Sequence, residues 1–259
     1  MTFKINLVFL AIFTVINPSQ ASDDWGVTGH RTIGAIAQQY LDPETAAQVA
    51  ELLDGASLAF VSTYADEIHS DDQYDRFDPW HYVSFPFGGD YHTHPKSDKG
   101  DIIQGIEKCK EIVRDKNKTK QERAFYLKLL VHFVGDLHQP LHVGIQEDRG
   151  GNRFYVKWFG DNTNLHSVWD TKIIEGYNMS YTELVQNQDR LTAEQIQEIQ
   201  RSSVTDWMDE SRALCEDVYS HTEAEEKLSY EYSYRYLHVA RGRLQKGGLR
   251  LAALLNELL

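Results

Sequence analysis

The chain is expected to fold as a mainly α-helical domain carrying one small β-hairpin. Three observations predict this. Apolar residues recur three and four apart through most of the sequence, as in Phe125, Leu129, Leu130, Phe133, Val134 and Leu137, which is the spacing of one buried helix face. Only the segment 146–158 carries a strand signal, a Gly150-Gly151 turn followed by the aromatic and β-branched run Phe154-Tyr-Val-Lys-Trp158. No repeat or low-complexity linker divides the 259 residues, and that length suffices for one large core.

Residues 1–21 read as a secretory signal. Lys4 starts it, residues 5–16 are apolar, and Ser19-Gln20-Ala21 has small residues at a cleavage spacing. Cleavage is expected after Ala21, or as late as residue 24. The apolar run is too short to span a bilayer comfortably, and no later stretch is apolar for longer. Residues 22–259 are therefore expected to form an exported domain with no stable membrane association. A loop over 22–30 leads into a helix through Ile33, Ile36, Ala37 and Leu41. Pro43 has the fixed φ of a first helical residue and opens the next helix, with Ala46, Val49, Leu52 and Leu53 on its buried stripe.

A further helix is expected over 58–68, carrying Asp66. The polar stretch 71–101 is turn-rich, with a short extended piece at Trp80-His81-Tyr82-Val83. Strong helices follow at 102–114 and 122–137, the second ending where Pro140 removes an N–H and forces Gln139 out of the helical region. After the hairpin come helices at 165–174, 181–186, 193–200 and 204–219. The last runs from about residue 230 to 259, with an interruption expected at Gly247-Gly248.

The formal net charge is −13. That argues against a protein that coats nucleic acid through a basic surface, but it does not exclude an enzyme acting on phosphodiesters, because bound divalent cations dominate their local field. There are two cysteines, and in an exported protein a Cys109–Cys215 disulfide is the natural reading.

The densest chemistry lies in His132-Phe-Val-Gly-Asp136-Leu-His138-Gln-Pro140-Leu-His142. His132 and Asp136 are four apart on one helix, so their side chains lie one above the other and together can grip a zinc ion. His166-Ser-Val-Trp-Asp170 repeats that separation. With Trp25, His30, Asp66, His81 and His142, these residues make a donor set of nitrogens and oxygens without thiolate. Such a set suits zinc sites that keep positions open for water or substrate. His138, lying between candidate ligands, reads as a support.

On these residues the chain resembles the single-strand-specific, trinuclear-zinc nucleases of fungi, plants and bacteria (the S1/P1 type), whose relatives include zinc-dependent phospholipase C. The matching motifs are Trp25-Gly-x-x-Gly-His30, Ala65-Asp66, His81-Tyr82-Val83, the 132–142 run, Gly150-Gly-Asn152, Asn164-Leu-His166-x-x-Trp-Asp170, and Arg250-Leu-Ala-x-x-Leu-Asn256. The resemblance implies three Zn²⁺ per chain. One would be held by Asp66, His81, His132 and Asp136. A second would be held by Asp136, His30, and the amino group and carbonyl of Trp25 at the chain terminus. The third would be held by His142, His166 and Asp170.

It also implies hydrolysis of single-stranded RNA and DNA to 5′-phosphates, with action on 3′-nucleotides, by a monomer. A hydroxide between two of the ions would be the nucleophile, oriented by Asp66. Tyr82 would stack on a base, and Ser84 and Asn152 would contact substrate.

Three departures from the pattern stand out. Cleavage after Ala21 leaves three residues ahead of Trp25, whereas a terminal-amine ligand needs Trp25 first. The family's Arg or Lys three positions after the ligand aspartate is His69 here, expected to act in catalysis as an imidazolium. An aspartate that reads the base in relatives is Ser84. Two rival functions remain at this point: a phospholipase C using the same cluster, and a non-enzymatic zinc-binding protein.

Overall fold

The computed structural model describes residues 25–259. The expected signal segment and its cleavage site lie outside the described residues.

The molecule is built around α6 (Lys120–Leu137), whose last ten residues include almost no exposed position. Thr119 caps its start, its hydroxyl accepting from the Glu122 N–H at 3.1 Å, which satisfies one of the first-turn donors. Around α6 pack α1 (Val27–Gln39), α2 (Pro43–Leu52), α5 (Ile102–Arg114), α11 (Val204–Ser220) and α12 (Tyr230–Leu258). The shorter helices α3 (Leu58–Val61), α4 (Tyr64–Ile68), α7 (Leu165–Ser167), α8 (Ile173–Glu175), α9 (Tyr181–Gln186) and α10 (Ala193–Arg201) complete a mainly α fold. A small sheet of β1 (Tyr155–Trp158), β2 (Asp161–Asn164) and β3 (Lys227–Leu228) lies in the order β2-β1-β3. Among the described residues, no helix is long and apolar enough to cross a membrane.

Several elements differ from the sequence expectation. The helix expected over 58–68 is two short helices, broken at Ser62-Thr63. The Ser62 hydroxyl bonds back to the Ala59 carbonyl at 2.9 Å, and the Ser62 carbonyl is turned to accept from His132 Nδ1. The stretch Asp72–His81 is a 3₁₀ helix. The expected extended piece begins only after it, where the Val83 and Phe85 N–H groups donate to the His142 and Gly144 carbonyls at 2.8 and 3.2 Å.

The hairpin is shifted along the chain. Its strands are Tyr155–Trp158 and Asp161–Asn164, and its turn is Phe159-Gly160, both with positive φ (50° and 98°), the backbone that matches strand twist in a two-residue turn. Gly150-Gly151 therefore turns the chain into the sheet rather than closing the hairpin.

The helix expected over 165–174 contains a π turn, Val168–Lys172, between α7 and α8. Such turns concentrate at functional sites, and this one carries Asp170. Helix α12 runs without a break through Gly247-Gly248. Those glycines let α1 approach: a Cβ on Gly248 would sit 2.5 Å from the side chain of Ile36.

The expected disulfide is not formed. Cys109 on α5 and Cys215 on α11 are free, buried thiols. Their helices pack around α6 without bringing the two sulfurs into a bond, and each thiol is simply part of the apolar core.

Candidate metal centre

Eight side chains from seven elements of the chain converge beside the C-terminal half of α6. The α6 helix supplies His132 and Asp136, one turn apart. His30 comes from α1, Asp66 from α4, His81 from the end of the 3₁₀ helix, and His142 from the 3₁₀ turn Pro140–Val143. His166 and Asp170 come from α7 and the π turn. They form three groups of mutually close donor atoms: His30, Asp66 and His132; His81, His132 and Asp136; and His142, His166 and Asp170. His132 belongs to the first two, and Asp136 reaches members of both. Its Oδ1 lies 3.2 Å from His30 Nε2, and its Oδ2 lies 2.9 Å from His81 Nδ1 and 3.2 Å from His132 Nε2. Asp66 Oδ1 is 3.1 Å from His132 Nε2, and Asp170 Oδ2 is 3.1 Å from His166 Nε2.

The rings are held by backbone carbonyls on their far side. His132 Nδ1–H donates to Ser62 O at 2.7 Å, His142 Nδ1–H to His81 O at 2.7 Å, and His166 Nδ1–H to Gly150 O at 2.6 Å. With the proton fixed on Nδ1, each Nε2 presents a lone pair toward the carboxylates, which is how a histidine is prepared for metal. Burial by itself would lower the His132 pKa, but the Asp136 and Asp66 charges outweigh it and hold it well above the usual range. Burial likewise would raise Asp136, while the His132 and His142 charges hold it well below the ordinary carboxylate range. The buried Asp136 carboxylate needs a cation beside it, since an uncompensated buried anion is very costly, and either a protonated His132 or a bound metal ion supplies one. The donor chemistry and the ring tautomers fit a divalent cation such as zinc.

Trp25 is fully buried, and the N–H of the next residue, Gly26, donates to the Asp170 carbonyl at 2.7 Å. That bond ties the start of the described chain to the π turn. The remaining candidates are less buried. Tyr82 is exposed and Ser84 half-buried on the extended piece after His81. Asn152 is half-buried, its amide donating to the Arg149 carbonyl at 3.1 Å. His69, 64% exposed, pairs through Nδ1 with Asp78 at 3.0 Å.

His138 points away from the cluster. Its Nδ1–H donates to Val134 O at 2.7 Å, and its Nε2 accepts from Arg250 at 3.1 Å. Burial, together with the Arg243 and Arg250 charges, pushes its pKa well below the usual range, so it is a neutral support between α6 and α12.

Two contributors were not singled out from sequence. Gln139 is fully buried, its amide donating to Asp170 Oδ1 and its carbonyl accepting from the Leu141 N–H at 2.6 Å. Gly135 leaves room for a ligand, because a Cβ there would lie 2.7 Å from His30 Nδ1. Both sit inside the 132–142 run, where a polar amide and a glycine among apolar residues were the available signals.

A mainly α protein that gathers three groups of His and Asp donors beside its central helix has the site of a metal-dependent hydrolase. Residues 25–259 match the family described as S1/P1 Nuclease, and the chain belongs to that family. It is therefore a nuclease. It is similar to Endonuclease 4 of Arabidopsis thaliana, 33% identical over 270 residues that cover 90% of this chain and 89% of the relative. It is also similar to Nuclease P1 of Penicillium citrinum, 31% identical with 90% and 97% covered, and to Nuclease S1 of Aspergillus oryzae, 33% identical with 62% and 60% covered.

Proposed function

We propose that this nuclease is an exported, monomeric zinc enzyme holding three ions, which cleaves single-stranded RNA and DNA to 5′-phosphate products and removes phosphate from 3′-nucleotides. The observation that supports the reading is that His132 belongs to two adjacent donor groups while Asp136, a member of one, also reaches His30 of the other. Shared ligands are what two closely spaced ions require. One ion would be held by Asp66, His81, His132 and Asp136, a second by Asp136, His30 and the backbone of Trp25, and the third by His142, His166 and Asp170. Zinc bound there supplies a water acid enough to ionise near neutral pH and neutralises charge on a phosphoryl group.

The chain's own residues do the rest. Asp66 is 15% exposed, whereas Asp136 and Asp170 are closed off, so Asp66 is the carboxylate that reaches an incoming water and orients it. The exposed Tyr82 ring offers a stacking surface that accepts any base, as a sequence-tolerant enzyme for unpaired strands needs. Ser84 and Asn152 line the substrate side, and His69, steadied by Asp78, faces the developing charge. Residues 1–21 direct export. Trimming that makes Trp25 the first residue completes the second site.

The test is zinc stoichiometry and intact mass on the purified mature protein, followed by hydrolysis of matched single- and double-stranded oligonucleotides. Three zincs, Trp25 at the terminus and preference for the single strand are expected. Failure to hydrolyse a single-stranded oligonucleotide in the zinc-loaded state would overturn the reading.

A further inference from the structure

Gln139 is a fully buried, uncharged side chain whose residue bonds to members of two different donor groups. A proline disfavours the helical region for the residue before it, and Gln139 accordingly leaves α6 in an extended conformation, with φ −85° and ψ 118°. Its N–H donates to the Asp136 carbonyl at 2.9 Å, and its own carbonyl accepts from the His142 N–H at 3.1 Å. Its side-chain amide donates to Asp170 Oδ1. Asp136 is grouped with His81 and His132, whereas His142 and Asp170 are two of the three members of the group completed by His166. Gln139 therefore spans the gap between the donors on α6 and the donors beyond it.

The orientation of the amide is fixed at both ends. The Leu141 N–H can only donate, so the atom it meets at 2.6 Å is the amide oxygen. That leaves the NH₂ facing Asp170, whose ionised carboxylate can only accept. Burying an amide is unfavourable unless it is hydrogen-bonded, and here both ends are. Asp170 stands on the π turn with Oδ2 3.1 Å from His166 Nε2 and Oδ1 3.6 Å from His142 Nε2. A hydrogen bond to Oδ1 fixes the plane of the carboxylate against those two rings. A lysine or arginine in the same place would cancel the charge of Asp170 and compete with a metal ion for it. A neutral amide orients the carboxylate and leaves its charge available, and carboxylates that ligate metals are commonly held this way.

Resting on the three-ion reading above, we propose that Gln139 is a positioning residue, which holds Asp170 toward His142 and His166 and fixes that donor group relative to the groups that share His132. It acts through Asp170, and the affinity it governs is that of one ion only. Its backbone bonds keep the exit of α6 in register with the turn that carries His142, and its side chain carries that register across to the π turn.

The experiment measures zinc affinities by chelator competition on the full-length mature protein and on Gln139→Met, Gln139→Glu and Asp170→Ala, with Gln139→Met also placed in the Asp170→Ala background. Gln139→Met removes both side-chain bonds, whereas Gln139→Glu keeps an acceptor for the Leu141 N–H and loses the donor to Asp170. In each, one zinc should be held about ten- to a hundredfold more weakly, with the others as in the parent. Where Asp170 is already alanine, Gln139→Met should change the remaining affinities less than about twofold, because its partner is gone. Hydrolysis of a single-stranded thymidine oligonucleotide by Gln139→Glu should recover when free zinc is raised about a hundredfold, matching the lost affinity. Parent-like affinities in Gln139→Glu would overturn the role, since the bond to Leu141 alone would then matter. Equal weakening of every zinc, or an undiminished loss in the Asp170→Ala background, would also overturn it, because a general packing fault produces either. A parent from which Asp170→Ala releases no zinc overturns the three-ion reading and this inference together.

Discussion

Replacing Glu210 with Gln should destabilise the protein by about 2 kcal/mol at neutral pH, although Glu210 lies on the far side of His138 from the metal centre. Glu210 sits on α11 facing three cations of α12. Its carboxylate accepts from Arg243 at 2.6 Å and from Arg250 at 2.7 and 3.0 Å, with Lys246 at 3.2 Å. Arg243 and Arg250 are almost fully buried, so removing their anion leaves two guanidinium groups in the core with little to balance them. Burial alone would raise the Glu210 pKa, but the Arg250 hydrogen bond and the charges of Arg250, Arg243 and Lys246 bring it down from 4.5 to about 2. That difference corresponds to about 3.4 kcal/mol. With 35% of the side chain in water, screening reduces it to about 2.

Because the folded pKa is depressed, this stabilisation is complete above about pH 4.5 and is lost as pH falls toward 2. Urea unfolding of the parent and Glu210→Gln at pH 7 and pH 3.5 checks both statements. The stability gap between them should shrink by about 40% at the lower pH, and thermal midpoints at pH 7 should differ by about 4–8 °C. A gap below about 0.5 kcal/mol at pH 7, the worth of an ordinary surface pair, would refute the reasoning. A gap that is the same at both pH values would do so as well.

Other outcomes follow from the same geometry. Gly150→Ala should lower both zinc content and turnover: φ is +61° there, and the new Cβ would lie 2.4 Å from the Leu141 carbonyl, displacing the carbonyl that orients His166. Metal analysis beside kinetics distinguishes this from a loss of turnover alone. Gly248→Ala should cost about 2 kcal/mol or more of stability, as overpacked cores do, because its Cβ meets Ile36 at 2.5 Å; a neutral melting curve would contradict the close α1–α12 crossing. Reductant should not change the melting temperature or mass of the protein. Cys109 and Cys215 should resist thiol reagents until denatured, being buried with thiol pKa values pushed up by burial, to about 12 for Cys215. Asp66→Asn should retain most of its zinc while losing activity by about two or more orders of magnitude, which equilibrium dialysis and oligonucleotide hydrolysis would separate.

Local patterns in the sequence were enough to place most of the molecule. Periodicity located α1, α2, α5, α6, α9, α10, α11 and α12 within a few residues, and caps such as Thr119 and Ser203 start their helices through contacts three residues away. The pairs His132/Asp136 and His166/Asp170 were legible for the same reason, since residues four apart share a face whatever surrounds them.

Long-range contacts decided the rest. The break at Ser62, which frees a carbonyl for His132, and the π turn that carries Asp170 exist because partners remote in sequence draw the backbone out of its local preference. The hairpin register, the unpaired cysteines, the unbroken helix across Gly247-Gly248 and the Gln139–Asp170 contact depend likewise on which surfaces meet. Periodicity records which face of an element is buried, and carries no information about what it is buried against. The sequence by itself therefore picked out the candidate donors, while only the tertiary structure could gather them into three groups beside α6.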